Sequence, residues 1–471
     1  MNTAYAEPPV MHLANRVPGV PLLGSLLEFQ RDRFGLAIRV AREQGEMAEL
    51  RMGFFTLLMA SSPRTAHEVL VEKNASFVKS AGLAVFARPL LGDGLLTAER
   101  DVHKKQRRMM APVFAHKRIA SYGDVMVEKT EKARARLLGM ETADLAEEMM
   151  RLTLDIVGKT LFDAELAGEA SVIGGALTDA MRQMMSAMIR LVPLPPVVPT
   201  PGNLRLRGAV RRLDGVVYDL IRERRASGED RGDMLGMLLA TRDADDGSSL
   251  SDREVRDQAM TLMLAGHETT ANALAWAFYL LGRHPEVRDR VEREVDLALE
   301  GRRATVLDLP RMPFTLQVLK ESMRLYPPAY VIGRKATEDG TVGGVRVARG
   351  QVLLVNIAGI HRLPELFADP DHFDPDRFLG DAEKKLPPLA YLPFGGGPRV
   401  CIGNHFAMME GHLLLATLMQ KLRFELVSEE PLKAEPLVTL RPAGGVKVRV
   451  SARGERASPV VVRPPCAQTY E

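Results

Sequence analysis

Residues 394–403 read Phe-Gly-Gly-Gly-Pro-Arg-Val-Cys-Ile-Gly and set Cys401 among four glycines, with Arg399 two positions before it. A lone cysteine is ordinarily an inert, buried residue in a turn. Only two cysteines occur in the 471 residues, so neither a cysteine-ligated iron-sulfur cluster nor a disulfide scaffold is available. The other one, Cys466, falls in SPVVVRPPCAQTYE, which is expected to be a disordered tail, so Cys401 works alone. The segment after it, IGNHFAMMEGHLLLATLMQKL, has helical apolar periodicity. Amides at the start of that helix can donate hydrogen bonds to the sulfur and hold a thiolate charge.

A second candidate is AGHETT, Ala265 to Thr270. It interrupts an otherwise apolar helical pattern in which Ser251 and Glu254 form a capping box and Pro285 lies past the end. The pattern predicts a buried central helix of about thirty residues, roughly 45 Å long. A glycine inside it costs nearly 1 kcal/mol against alanine, and a buried glutamate needs a partner or a proton. Two explanations stand: a close helix crossing at Gly266 with Thr269 bonded back to a carbonyl, or a ligand pressed against the helix. A third candidate, KESMRLYPP, puts Glu321 and Arg324 three apart on one helical face, by itself an ordinary ion pair.

Around these segments the chain reads as mostly helical. Two short strands are expected in EMAELRMGFFTLLMASSP, followed by a helix opened by Ser62 and Pro63, and more strands in GGVRVARGQVLLVNI and LVTLRPAGGVKVRV. Too few to stand alone, the early and late strands are expected to meet in one small mixed sheet beside the helical body. The Pro-rich stretch from Pro193 to Pro201 is read as an ordered loop. The expected organisation is a flexible N-terminus over 1–14, one catalytic domain over 15–452 and a disordered tail over 453–471. A net charge of +3, 46% apolar and 26% charged residues are ordinary for a globular protein and give no reason to expect nucleic acid as partner. Without a basic and apolar leader pattern near the N-terminus, the expectation is a cytoplasmic protein with no membrane anchor, and a monomer.

In order along the chain, AGHETT, the Glu-x-x-Arg helix, FADPDHFDPDRF with Arg377 and the cysteine loop resemble the cytochrome P450 superfamily of haem-thiolate monooxygenases. The resemblance runs from about residue 15 to 452. It implies a mainly α fold with a small mixed β region, the haem lying between the central helix and the cysteine-loop helix. It implies haem b (iron protoporphyrin IX) with Cys401 as axial thiolate, the ligand type that favours O–O cleavage. Phe394, Gly395 and Gly403 shape the loop. Arg399, Arg334 and Arg107 match cations that hold haem propionates, and His103 stands where the family more often has tryptophan. Glu268 and Thr269 match the acid and alcohol pair that delivers protons to dioxygen, with Ala265 leaving room over the haem. His267 reads as a satisfied structural histidine. Glu321, Arg324 and Arg377 correspond to a structural salt-bridge triad.

The resemblance further places a substrate pocket in FVKSAGLAVFARPLLGDGLL, at Ala265 and Thr269, at Ala329 to Ile332 and near Leu437 to Leu440. These segments are apolar, so the expected substrate is a lipophilic small molecule such as a fatty acid, terpenoid, steroid or polyketide, with Lys79 or Arg88 as candidate anchors for a carboxylate. Met181, Met184, Met185 and Met188 form a stripe read chiefly as core packing. Electrons are expected from an external ferredoxin or flavodoxin with its reductase, docked on the basic run Lys104, Lys105, Arg107 and Arg108. A peroxide-driven peroxygenase of the same fold and a non-catalytic haem protein are the rival readings.

Overall fold

The computed structural model describes residues 13–163, 170–188, 195–229, 231–243 and 247–454. The expectations for the tail with Cys466, for residues 1–12 and for the first part of the Pro-rich stretch lie outside these. Residues 195–200 form turns that lead into a helix starting at Pro201.

The central helix spans Asp252–Arg283, with the Ser251 and Glu254 capping box in place at its start. It is buried along almost its whole length and packs on helices Leu145–Phe162, Pro313–Leu325 and Asn404–Met419. A near-continuous apolar surface is what a helix enclosed on all sides requires. Gly266 lets the helix at Leu145–Phe162 come close: a Cβ there would stand 3.1 Å from Val157 Cγ2. Across the same crossing the Thr153 hydroxyl donates to the His267 carbonyl at 2.9 Å. The methionine stripe is core, as expected, with Met181, Met184 and Met185 buried; the Met188 side chain lies outside the described residues.

The main sheet has six strands in the order Asn15–Arg16, Met47–Met52, Phe55–Ala60, Val352–Val355, Ile332–Ala336, Phe77–Lys79. It is mixed, with Phe55–Ala60 parallel to Val352–Val355 and the neighbouring pairs antiparallel. The early strands and the 352–355 strand therefore meet as anticipated, but the last strands do not join them. Leu440–Pro442 pairs with Ala434–Pro436, while Lys447–Ala452 lies between Leu422–Leu426 and Thr142–Asp144. Each late strand has one antiparallel partner close by in the chain, and Lys447–Ala452 takes the distant Thr142–Asp144 on its other edge. Burial then fixes the second group, because Phe424 packs edge-on against Phe278 of the central helix, ring centroids 5.1 Å apart.

Candidate functional site

Four segments converge beside the middle of the central helix. The cysteine loop is closed by the Cys401 amide donating to the Phe394 carbonyl at 3.0 Å. Gly397, at φ +67°, passes so close to the Leu70 carbonyl that a Cβ would stand 2.0 Å from its oxygen; only glycine fits. Gly403 stands immediately before the helix Asn404–Met419, close behind Cys401. Burial pushes the Cys401 thiol up in pKa, while the Gly403 amide and the Arg107 charge draw it down. Yet its surface is accessible. Its sulfur is therefore open to a partner.

The central helix also keeps accessible surface at one place. Among the buried residues from Val255 to Leu281, Ala265, Gly266 and Thr269 keep accessible surface in the middle of the run. Thr269 donates its hydroxyl back to the Ala265 carbonyl at 2.6 Å. The first explanation for AGHETT, a tight crossing at Gly266 with Thr269 bonded back to a carbonyl, is present, and another face of the helix keeps accessible surface. Apolar walls flank that face. Leu83 and Phe86, from a π-helical turn at Gly82–Phe86, share one cluster with Leu262, Leu264, Ile402 and Val438. Tyr330 donates to the Leu437 carbonyl at 3.2 Å, and the Leu440 amide to the Pro328 carbonyl at 2.9 Å, so the two predicted pocket segments are bound to each other.

Glu268 does not point at this face unpartnered. Its Oε1 accepts from Thr439 at 2.6 Å and from Arg441 Nε at 2.7 Å, and Asn272 donates to Thr439 at 3.1 Å. The other oxygen, Oε2, is buried without a bond. Arg441 is a partner that the sequence reading missed; nothing in a short, edge-like segment distinguishes it from a surface arginine. His267 is buried with Nδ1 against the Met263 carbonyl at 2.7 Å, the structural role expected of it, and burial lowers its pKa.

On the other flank, positive charge accumulates. Lys79 and Arg334 stand directly opposite each other on antiparallel strands, a pairing of like charges that destabilises a sheet unless an anion joins them. The charges of Arg399, Lys79, Arg107 and Arg334 all bear on His103. Burial, then the Arg399 and Arg334 charges, push Lys79 down to about 7 against some help from Glu99. Burial and the surrounding cations push His103 to about 4, so its imidazole is neutral. Arg334 falls to about 10 for the same reasons. The carboxylate inside the cluster is Glu99, paired with Arg399. Lys79 was a candidate anchor for substrate; instead its Nζ donates to the Leu95, Leu96 and Ala98 carbonyls within this cluster. Arg88 forms an exposed pair with Asp93 at 2.5 Å.

The predicted triad assembles beneath the loop. Arg324 grips both oxygens of Glu321 at 2.7 Å, and Arg377 Nε lies 3.3 Å from Glu321. Along the basic run on helix Arg100–Met110, Arg107 turns inward to the Val400 carbonyl at 2.8 Å, Arg108 pairs with Asp243, and Lys105 bonds Ser248. Lys104, paired with Asp101, is the most exposed of the four by its side chain.

The profile described as Cytochrome P450 matches residues 16–449. The chain belongs to the cytochrome P450 family. A cyclooctatin synthase from Streptomyces melanosporofaciens is 35% identical over 445 residues, covering 93% of this chain and 96% of the relative. A cyclooctat-9-en-7-ol 5-monooxygenase from the same organism is 37% identical over 411 residues, covering 86% and 88%. The crystal structure of the cytochrome P450DA heme domain superposes with a TM-score of 0.84 at 30% identity, over 94% of this chain and 98% of that one.

P450 proteins are haem-thiolate monooxygenases, and the residues present fit such a group. One accessible thiol, an open helix face beside it and a cation cluster in want of an anion are what a flat, iron-centred dicarboxylate needs. A thiol raised by burial becomes a thiolate once a metal cation meets the sulfur. No helix among the described residues is long and apolar enough to cross a membrane.

Proposed function

We propose that this P450 hydroxylates a terpenoid hydrocarbon or alkenol of low polarity. The supporting observation is the accessible face at Ala265, Gly266 and Thr269 on the central helix, whose Leu262 and Leu264 share an apolar cluster with Leu83, Phe86 and Val438. The relative named as a 5-monooxygenase of cyclooctat-9-en-7-ol, a ring alkenol, points to the same class.

In this reading Cys401 would bind the haem iron through its sulfur, and Arg399, Arg334, Arg107 and His103, joined by Lys79, would hold the propionates. The haem, when bound, supplies oxygen activation, which the thiolate favours. Thr269 Oγ1 holds a proton at the open face and exchanges its bond to the Ala265 carbonyl for one to the reacting oxygen. Glu268, released from Arg441, replenishes that proton. The apolar walls orient the substrate and keep bulk water out. Electrons come from an acidic ferredoxin or flavodoxin that meets Lys104 and its neighbours; a charge-reversed Lys104→Glu should slow reduction at low salt more than at high salt.

The test is a titration of the ferric protein with cyclic terpene hydrocarbons and alkenols beside fatty acids of equal carbon number. A spin-state shift with the terpenes at tenfold or more lower concentration, followed by detection of a singly hydroxylated product, is the expected result. Tighter binding of the fatty acids would overturn the terpenoid assignment.

A further inference from the structure

Most histidines of this chain have a settled place. His67, His267, His284, His361 and His412 each turn a ring nitrogen to a carboxylate or a carbonyl oxygen. His116 and His405 do not. Their rings meet each other instead, with centroids 4.3 Å apart and planes tilted by 52°. His116 is the first residue of helix His116–Ser121, and His405 is the second of helix Asn404–Met419, four positions after Cys401. Both are exposed. Among the described residues neither ring has a hydrogen bond or an ion pair; the one bond recorded at His405 is that of its backbone amide to Asn404 Oδ1.

The core brings these rings together. Tyr122, past the end of the first helix, packs edge-on against Phe406 of the second, ring centroids 6.0 Å apart. On the other side of the pair, Phe114 lies close to Gly403, where a Cβ would stand 3.6 Å from its ring. Two aromatic contacts therefore hold the two backbones in register on either side of the histidines, and the meeting of the imidazoles costs no further ordering of the chain. Exposed rings with no bond to the protein leave their nitrogens free to act as ligands. Two imidazole nitrogens at about 2.0–2.1 Å from one tetrahedral ion set their ring centroids roughly 5 Å apart. The observed separation is a small ring rotation from that arrangement, and nothing bonded to either ring resists the rotation. Solvent on the open side supplies water for the remaining positions.

We propose that His116 and His405 form a surface site for a late first-row divalent cation, with water completing its coordination. The donor set is two imidazoles without a carboxylate, which suits Cu²⁺, Ni²⁺ or Zn²⁺ and not the oxygen-seeking Mg²⁺ and Ca²⁺. An ion bound there ties helix His116–Ser121 to the start of the helix that follows the cysteine loop, and braces that helix from outside. The site needs neither substrate nor turnover.

Calorimetric titration of the untagged holoprotein with Cu²⁺ and then with Zn²⁺ is the test. The expected result is one site per chain, tighter for Cu²⁺ than for Zn²⁺, and no binding of Mg²⁺ at the same concentration. His116→Gln and His405→Gln should each weaken Cu²⁺ binding by about tenfold or more. The double variant should lose little beyond either single one, because the chelate needs both rings. His284→Gln is the control: that ring lies 6.0 Å from His372 with Nδ1 engaged by Glu286, and its loss should leave the site unchanged. Thermal unfolding gives a second measure. Saturating Zn²⁺ should raise the midpoint of the wild type and not that of either single variant, since a ligand of the folded chain alone stabilises it by mass action. Equal Cu²⁺ affinity in the wild type and both single variants, or a loss confined to one of them, would overturn the proposal.

Discussion

Glu321, Arg324 and Arg377 are buried about as deeply as Lys79, Arg334 and Arg399, yet the two groups are opposite in balance. In the first, Arg324 uses its whole fork: Nε and Nη2 on Glu321, Nη1 on the His361 and Pro370 carbonyls, Nη2 also on the His372 carbonyl, while Arg377 bonds the Asp369 carbonyl through Nη2 and leaves its buried Nε in ion-pair range of Glu321 without a hydrogen bond. In the second, Arg334 has a single hydrogen bond among the described residues, to the carbonyl of its neighbour Gly333, and its charge depresses the groups beside it. A saturated charge group is finished when the chain has folded. An unsaturated one is finished by a ligand, and that difference separates structural ions from binding ions more sharply than burial does.

The comparison breaks first at the saturated group. Glu321→Ala would leave two buried cations without their carboxylate, and removal of one partner from a buried pair costs about 3–5 kcal/mol. The expected outcome is little or no folded holoprotein, with Glu321→Gln less severe because it keeps some hydrogen bonds. Denaturant unfolding and haem content measure both. A stable, haem-replete Glu321→Ala would mean that the group is not saturated in the sense argued.

The unsaturated group should respond with opposite sign. Arg334→Met removes a cation from a repelling set, so the haem-free chain should unfold no more easily than wild type. Haem affinity should fall by tenfold or more, since each loss of ~1.4 kcal/mol is a factor of ten. Haem transfer to an acceptor protein and thermal unfolding of the haem-free chain give the two numbers. A parallel loss of both would class Arg334 with the triad.

How far each group could be read from the sequence follows from the same contrast. Glu321, Arg324, Arg399 and Cys401 sit in fixed local spacings, on one helix or within one loop, so their positions travel with the motif. The long central helix was equally legible, because an all-round apolar run with a capping box leaves few alternatives. Lys79 and Arg441 were not legible in their roles. Lys79 meets Arg334 through strand pairing across more than 250 residues, and Arg441 reaches Glu268 from a two-stranded edge; long-range register is not written in local pattern. The single mixed sheet failed for a related reason: the last strand lies between Leu422–Leu426 and the distant Thr142–Asp144, a placement that local pattern does not carry. Glu268 and its clamp by Arg441 meet only in three dimensions.

A third variant tests an intermediate case. The Glu268 and Arg441 pair is satisfied on Oε1 and bare on Oε2. Arg441→Met should destabilise the protein by about 1–3 kcal/mol at neutral pH, the cost of leaving one buried polar group short of a partner. Glu268→Gln added to it should recover much of that loss, because the orphaned charge is then gone. Such non-additivity, read from a double-mutant cycle, marks a direct pair. Simple addition of the two single effects would show that the carboxylate depends on Thr439 more than on Arg441.

The smallest effect concerns the proton on Lys79. In the folded chain its pKa is depressed from 10.5 to about 7, so between those values the unfolded chain binds more protons than the folded one. Stability from this group therefore rises as pH climbs from about 7 to 10.5, and the penalty of burying the charge is complete below that window. Glu410 slopes the other way between 4.5 and about 8, its folded form keeping a proton the unfolded form has lost. Comparison of wild type with Lys79→Met cancels the Glu410 contribution, which both share. When the anionic propionates settle among the cations, they favour charged Lys79 and raise its pKa, so haem binding near pH 8 should draw in a fraction of a proton. Calorimetry of haem binding in buffers of different ionisation enthalpy measures that uptake, which should shrink in Lys79→Met while haem affinity changes only severalfold. Equal uptake in both proteins would place the proton elsewhere in the cluster, with His103, held neutral near 4, as the remaining group able to gain one.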